Sequence, residues 1–270
     1  MKIFNFIICS GLVVCTLCFC FPFKREFTIR DIDLWKETLV WEFAKAIENN
    51  DTVLANEILK RDNVDVDCRE PKYGASLLFW TIENQNIEMT EYLLKKGANP
   101  NLHDTWTGLS PIMLATINTI DDRDILKLLL AYGGNPNEYV AADEPIKYEA
   151  RELLTPLTTA AFFDLETVKL LVDAGGDVNF FPEPEPGVTA LYGSIYSNKA
   201  DILKYLLIDC KADYTKCFII TLQGDSIGFF EMIDECIDNY PPNDKDTRIV
   251  KEFIDKEKTK WKQKHPDSGI

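Results

Sequence analysis

Histidine is scarce: His103 and His265 are the only two in 270 residues. Nucleophilic catalysis needs Ser, Cys or Lys beside a positioned histidine or carboxylate. Both histidines lie in polar sequence, where a solvated or turn-bonding role is the simpler reading. Neither a Gly-x-x-x-x-Gly-Lys run nor a dinucleotide fingerprint occurs. Cations are also in deficit, with 29 Lys and Arg against 44 Asp and Glu and a net charge of −15. Counterion release from nucleic acid requires clustered cations, so a nucleic-acid partner is not expected and acidic partners are disfavoured. Cysteine is thin once position is considered, because Cys9, Cys15, Cys18 and Cys20 precede residue 23. The remaining Cys68, Cys210, Cys217 and Cys236 make no disulfide scaffold in a chain large enough to bury a core. Free thiols are expected, with a single disulfide as the alternative. Cys210 and Cys217 are spaced too widely for a Cys-x-x-Cys knuckle, so no metal and no cofactor are expected.

What is present begins with an uncharged, mostly apolar run from Ile3 to Phe23 behind Lys2. It is long enough to cross a bilayer or to direct export. Cleaved signal, lipidated cysteine and retained anchor all remain open, since no Ala-x-Ala site occurs and no small residue directly precedes those cysteines. Lys24 and Arg25 on the far side weaken the positive-inside bias. The expected location is exported or membrane-anchored, with a cytoplasm-facing anchor as the rival.

Beyond this segment the chain repeats itself. Ser76-Leu77-Leu78, Ser110-Pro111-Ile112, Thr155-Pro156-Leu157 and Thr189-Ala190-Leu191 recur at separations of 34, 45 and 34 residues. Each reads as a helix start, with Ser or Thr as N-cap and Pro tolerated in the first turn. Gly74, Gly108 and Gly187 stand two residues before their caps, where a tight turn needs permissive dihedrals. Second helices follow around Met89–Leu94, Ile125–Leu130, Thr167–Val172 and Ile202–Leu207. They close on Gly97-Ala98-Asn99-Pro100-Asn101, Gly133-Gly134-Asn135-Pro136-Asn137 and Gly175-Gly176-Asp177-Val178-Asn179.

The cap-Pro-Leu opening, the Leu-Leu-x-x-Gly-Ala-Asn-x-Asn close and the ~33-residue period resemble the ankyrin repeat. The resemblance spans roughly residues 40 to 237. It includes a leading pair at Glu42 to Leu59, closed by Asn63 to Asp67, and a degraded final unit at Lys216 to Ile237. It implies an all-α solenoid of stacked helix-turn-helix pairs with hairpin-like fingers. The domain reading is 1–23 as signal or anchor, 24–39 as linker, 40–237 as the repeat domain with caps and four central repeats, and 238–270 as a tail with a helix. Two departures matter. The family's histidine after the Leu is replaced by Phe79, Met113, Thr158 and Tyr192, so its hydrogen bonds must be missing or substituted. The fourth close, Cys210-Lys211-Ala212-Asp213, lacks glycine, and a distorted turn is expected there.

Between Asn137 and Thr155 the chain carries ~11 residues beyond a standard unit, including an amphipathic stretch from Ile146 to Leu154. Phe180-Phe181 opens a proline-stiffened finger that runs to Pro186. Asp244 to Lys264 reads as a charged helix with Ile249, Phe253, Ile254 and Trp261 on a narrow stripe, packing on the last repeat. Trp80, Phe79, Leu78 and Leu93 are expected in the core, and Trp35 and Trp41 are expected to clamp the first unit.

The resemblance implies a protein-binding module, not an enzyme, contacting its partner through finger tips and the concave face formed by first helices. Candidate contact residues are Lys72, Tyr73, Trp106, Tyr148, Phe180 and Phe181, the aromatics being costly to leave in water. For each aromatic, packing on its own turn is the competing reading. A monomer is expected, with a membrane contact through residues 1–23 as an open option. The alternative function is an inhibitory or immunity-like protein that neutralises one enzyme or toxin, with the negative charge suiting a basic target.

Overall fold

The structure is a computed structural model and describes residues 29–61, 64–118, 123–139, 155–181, 189–220 and 226–266. Five antiparallel helix pairs follow one another among these residues. They are α1 (Trp41–Glu48) with α2 (Thr52–Arg61), α3 (Leu77–Glu83) with α4 (Ile87–Lys95), and α5 (Pro111–Asn118) with α6 (Asp124–Ala131). The series ends with α7 (Pro156–Phe163) and α8 (Leu165–Asp173), then α9 (Ala190–Tyr196) and α10 (Ala200–Lys204). First helices α3, α5, α7 and α9 stack in order, as do α4 on α6 and α8 on α10. Nearest neighbours hold each pair, as a solenoid requires.

The openings are helix caps. Ser76 Oγ accepts from Phe79 N at 3.2 Å, Ser110 Oγ from Met113 N at 3.4 Å and Thr155 Oγ1 from Thr158 N at 3.1 Å. Thr189 is the exception, with no such bond. Phe79, Met113, Thr158 and Tyr192 are all buried, and Thr158 also accepts from the Thr155 hydroxyl at 3.1 Å, so packing and, at Thr158, a substitute hydrogen bond occupy the place of the missing histidines. Leu78, Trp80 and Leu93 join them in the core as expected.

A side-chain ladder ties the closes together. Asp67 Oδ1 accepts from Asn99 N (2.9 Å), Asn101 Oδ1 from Asn135 N (2.8 Å), Asn137 Oδ1 from Asp177 N (2.8 Å) and Asn179 Oδ1 from Asp213 N (2.7 Å). Asn101 and Asn137 also donate through Nδ2 to Gly133 O and Gly175 O of the next close, at 3.0 and 3.2 Å. The Asn-x-Asn spacing is thus a hydrogen-bonding device: the first residue orders its own turn and the second reaches the following unit.

The glycine-free fourth close differs from its expected form. In the regular closes the residue after a left-handed glycine donates to the first Leu of the pair five residues back: Ala98 N to Leu93 O at 3.0 Å, Gly134 N to Leu129 O at 2.8 Å and Gly176 N to Leu171 O at 2.9 Å. In the fourth, Ala212 N reaches Leu206 O, six residues back, at 2.9 Å. One residue has been inserted. It is absorbed by a π turn over Tyr205–Asp209, where Cys210 N bonds Tyr205 O at 2.9 Å. Lys211 takes the left-handed position at φ 56°. The distortion therefore lies upstream in the helix, and the ladder bond to Asp213 survives.

Both ends depart from the repeat. Ile29, Ile32, Trp35 and Val40 are buried, so the stretch assigned to a linker packs as an N-terminal cap from residue 29 onward. Trp80 Nε1 donates to Arg30 O at 3.0 Å and fastens that cap to α3. At the other end the degraded final unit shows no first helix among its described residues. An antiparallel hairpin, β1 (Phe218–Ile220) with β2 (Ser226–Gly228), replaces it before α11 (Phe229–Cys236). The tail helix α12 (Lys245–Lys264) packs against α10. Before it, Tyr240 is buried and its hydroxyl donates to Ser194 O and Ile195 O at 3.1 and 3.2 Å.

Candidate interaction surface on the fingers

Each of the first two finger turns is wrapped around a buried carboxylate. Glu70, 1 % exposed, accepts from the backbone N–H groups of Lys72 (2.7 Å), Tyr73 (2.8 Å) and Ala75 (2.9 Å). Asp104, 34 positions later, accepts from those of Trp106 (2.7 Å), Thr107 (2.5 Å) and Gly108 (3.3 Å), and from the Thr107 hydroxyl. Burial pushes the Asp104 carboxyl above the usual aspartate range, while these donors pull it back down. An acidic side chain here substitutes for a regular ladder in satisfying turn amides.

The two fingers are fastened together. Thr105 donates to Tyr73 O through both its backbone N–H (2.9 Å) and its hydroxyl (3.0 Å). Gly74 makes this possible: its φ is +71°, and a Cβ there would collide with the Thr105 side chain. Tyr73 and Trp106 meet edge to face at 5.4 Å between centroids, and the Lys72 ammonium lies 4.7 Å from the Tyr73 ring centre. Tyr73 is buried, Trp106 half-buried and Lys72 exposed. Of this expected trio, Tyr73 is a packing residue that supports the indole of Trp106.

Further along, His103 Nε2 lies 3.0 Å from Glu138 Oε1, both partly buried. Next to Glu138, Tyr139 faces Phe180 at 5.9 Å between centroids. Phe180 and Phe181 are half-buried. The candidates therefore form two clusters, Lys72–Tyr73–Trp106 and Tyr139–Phe180, linked across fingers by the His103–Glu138 pair. Tyr139, Glu138 and the His103 pairing were not singled out from the sequence. The signal was available, since Tyr139 stands two residues after Asn137 as Phe181 stands two after Asn179. Tyr148 and the stretch from Ile146 to Leu154 lie outside the described residues, as do residues 1–23, Gly187 and the prolines after Phe181.

The first helices do not offer the concave surface expected of them. Every residue of α3, the first six of α5, the first seven of α7 and the first six of α9 are buried. Large side chains at positions 79, 80, 113, 162 and 192 account for this, together with the N-terminal cap over Trp80. The exposed contact surface is displaced to the fingers.

The four described cysteines are free. Burial pushes the Cys217 thiol up to about 12 and also raises Cys68 and Cys210, the opposite of nucleophile activation. No metal-binding group of His, Cys, Asp and Glu occurs among the described residues. A cavity of about 260 Å³ between the hairpin and α12 is walled by Tyr214, Phe229, Phe230 and Trp261. No described helix is long and apolar enough to cross a membrane.

Comparison with known proteins places this geometry. A family model for ankyrin repeats, three copies, matches residues 43–140. A fowlpox virus (strain NVSL) chain named as an ankyrin repeat protein is 32 % identical over 137 residues, covering 50 % of this chain and 28 % of that one. A Rickettsia bellii (strain RML369-C) chain of the same description is 30 % identical over 179 residues, covering 63 % of this chain and 47 % of that one. The present chain thus spans between about a quarter and a half of the length of these curated relatives.

Proposed function

This chain is an ankyrin-repeat protein, and from that premise we propose that it is a non-catalytic module that holds a protein partner against its fingers. The family is in general a non-catalytic interaction fold. The observation that carries the finer reading is a contrast in exposure: first helices α3, α5, α7 and α9 are buried over all but their last one or two residues at most, while Lys72, Trp106, Phe180 and Phe181 retain exposed surface on the first, second and fourth fingers. Half-exposed aromatics on a rigid, hydrogen-bonded turn lose little entropy on binding, as hot-spot residues do. A net charge of −15 favours a basic partner and salt-sensitive association. Export or membrane tethering belongs to the same proposal and is supported by the apolar run of residues 3–23.

The test is crosslinking and affinity capture of the full chain in its own compartment, in parallel with Trp106→Ala and Phe181→Ala. Loss of one specific protein with either substitution, at unchanged thermal stability, supports the finger surface. A partner retained by both variants refutes it.

A further inference from the structure

The charge deficit of the whole chain conceals a local reversal. Between residues 256 and 264 five lysines face a single glutamate, in a protein of net charge −15. This is the last part of α12, and every residue from Lys262 to Pro266 is exposed. Steps of three or four residues place Ile249, Phe253, Lys256, Lys260 and Lys264 along one stripe of the helix. Ile249 and Phe253 are half-buried, and the three lysines are exposed. The fully buried face is a different one, formed by Thr247, Val250 and Ile254; Phe253 also packs partly against the core, so the lysine part of the stripe is what is not consumed in holding α12 to the array. Lys260 pairs with Glu257 at 2.5 Å, whereas Lys256 and Lys264 make no ion pair with a described residue.

We propose that this stripe is a docking face for an anionic lipid surface. Charge complementarity is the first reason: lysines at i, i+4 and i+8 present a row about 12 Å long, the span of a few headgroups. Residue choice is the second, because the cations of the stripe are all lysine. A carboxylate on a protein partner is best gripped by the planar fork of arginine, whereas a diffuse negative surface is matched by mobile point charges. Half-exposed Ile249 and Phe253 extend the stripe with apolar surface, the composition of an interfacial helix. Trp261, between Phe230 (6.0 Å) and His265 (4.1 Å), stiffens the helix end that carries the lysines. The acids beside the stripe on the same helix, Glu252, Asp255 and Glu257, are outnumbered by the five lysines of residues 256–264, and charges more than about 8–10 Å away are screened at physiological salt. The contact is separate from residues 1–23, whose apolar run would partition without regard to lipid charge.

The experiment is flotation of the full chain with phosphatidylcholine vesicles and with vesicles containing about a third phosphatidylserine. The difference between the two lipids is the readout, which removes any contribution of residues 3–23. Lys256→Gln/Lys260→Gln/Lys264→Gln is expected to lower partitioning onto the serine-containing vesicles by roughly 100-fold, about fivefold per lysine. The arginine triple variant should retain partitioning, as should a control triple, Lys36→Gln/Lys60→Gln/Lys96→Gln. Raising salt to about 0.5 M should abolish the difference between lipids. Equal partitioning onto both lipids, or an unaffected glutamine variant, overturns the proposal. So does tighter binding to a single-stranded RNA than to the vesicles, which would reassign the stripe to polynucleotides. Trp106→Ala should leave vesicle binding intact, so a failure here is distinguishable from a failure of the finger reading.

Discussion

The middle of the array and its C-terminal end meet the same constraint by different means. At Gly97, Gly133 and Gly175 the chain leaves a regular helix through a left-handed glycine. At Lys211 it does so without glycine and with an extra residue, and the helix widens into a π turn. The inter-unit bond is nevertheless as short in the irregular close (Asn179 to Asp213, 2.7 Å) as in the regular one (Asn101 to Asn135, 2.8 Å). The fold thus protects the ladder and lets the helix vary. A lost helical bond is replaced within the turn, whereas a lost ladder bond leaves an amide without an equivalent acceptor.

The strongest way to break this comparison is in the middle. Asp104→Ala removes the acceptor of three backbone amides and one hydroxyl in a buried turn. A loss of about 2–4 kcal/mol in urea unfolding is expected. An effect under about 0.5 kcal/mol would show that water enters the finger and takes over those amides. At the C-terminal end the corresponding fastening is Tyr240, and Tyr240→Phe deletes a buried hydroxyl bonded to two carbonyls. A cost of about 1–2 kcal/mol is expected, with hydrogen exchange accelerating in α9 and α12 before the N-terminal units.

Lys211→Gly sharpens the contrast in the opposite direction. It relieves a left-handed lysine at φ 56° and should stabilise the fold by about 1 kcal/mol. Gly97→Lys should cost a similar amount, and equal signs for the two would refute the account of the closes. The smallest effect concerns pH. Burial raises the Asp164 carboxyl, but hydrogen bonds from Thr167 and Arg123 outweigh it and hold the group below its usual range. Its stabilising contribution is therefore present above the unfolded pKa of about 4 and is lost as pH falls through the lower, folded value. Asp164→Asn should flatten the acid limb of a stability–pH profile by under about 1 kcal/mol. An unchanged limb would remove Asp164 from the list of pH-sensitive contacts.

Much of this architecture was legible beforehand because it is periodic. Caps, small residues and Asn-x-Asn closes recur at a fixed spacing, and each encodes a local event: a first turn, a close approach or a left-handed exit. The π turn was only half legible. The absence of glycine was visible at Cys210-Lys211, but the inserted residue emerges only when the Leu206–Ala212 bond is set beside Leu93–Ala98. The surface was the least legible part. Tyr73 and Trp106 look alike as finger aromatics, and what separates a buried support from a half-exposed contact is which of them the Thr105–Tyr73 fastening covers.

The residue order by itself determined the helix pairs, their order along the stack and the turns between them. Each of these is decided within one period of the chain, where a cap, an apolar row and a close stand in sequence. Only the tertiary structure decided that first helices α3, α5, α7 and α9 are buried along most of their length, that residues 29–40 close the N-terminal end and that a hairpin takes the place of the last first helix among the described residues. These outcomes depend on what neighbouring units and non-repeating segments bring into contact, and burial is a property of such contacts, not of a residue's own side chain.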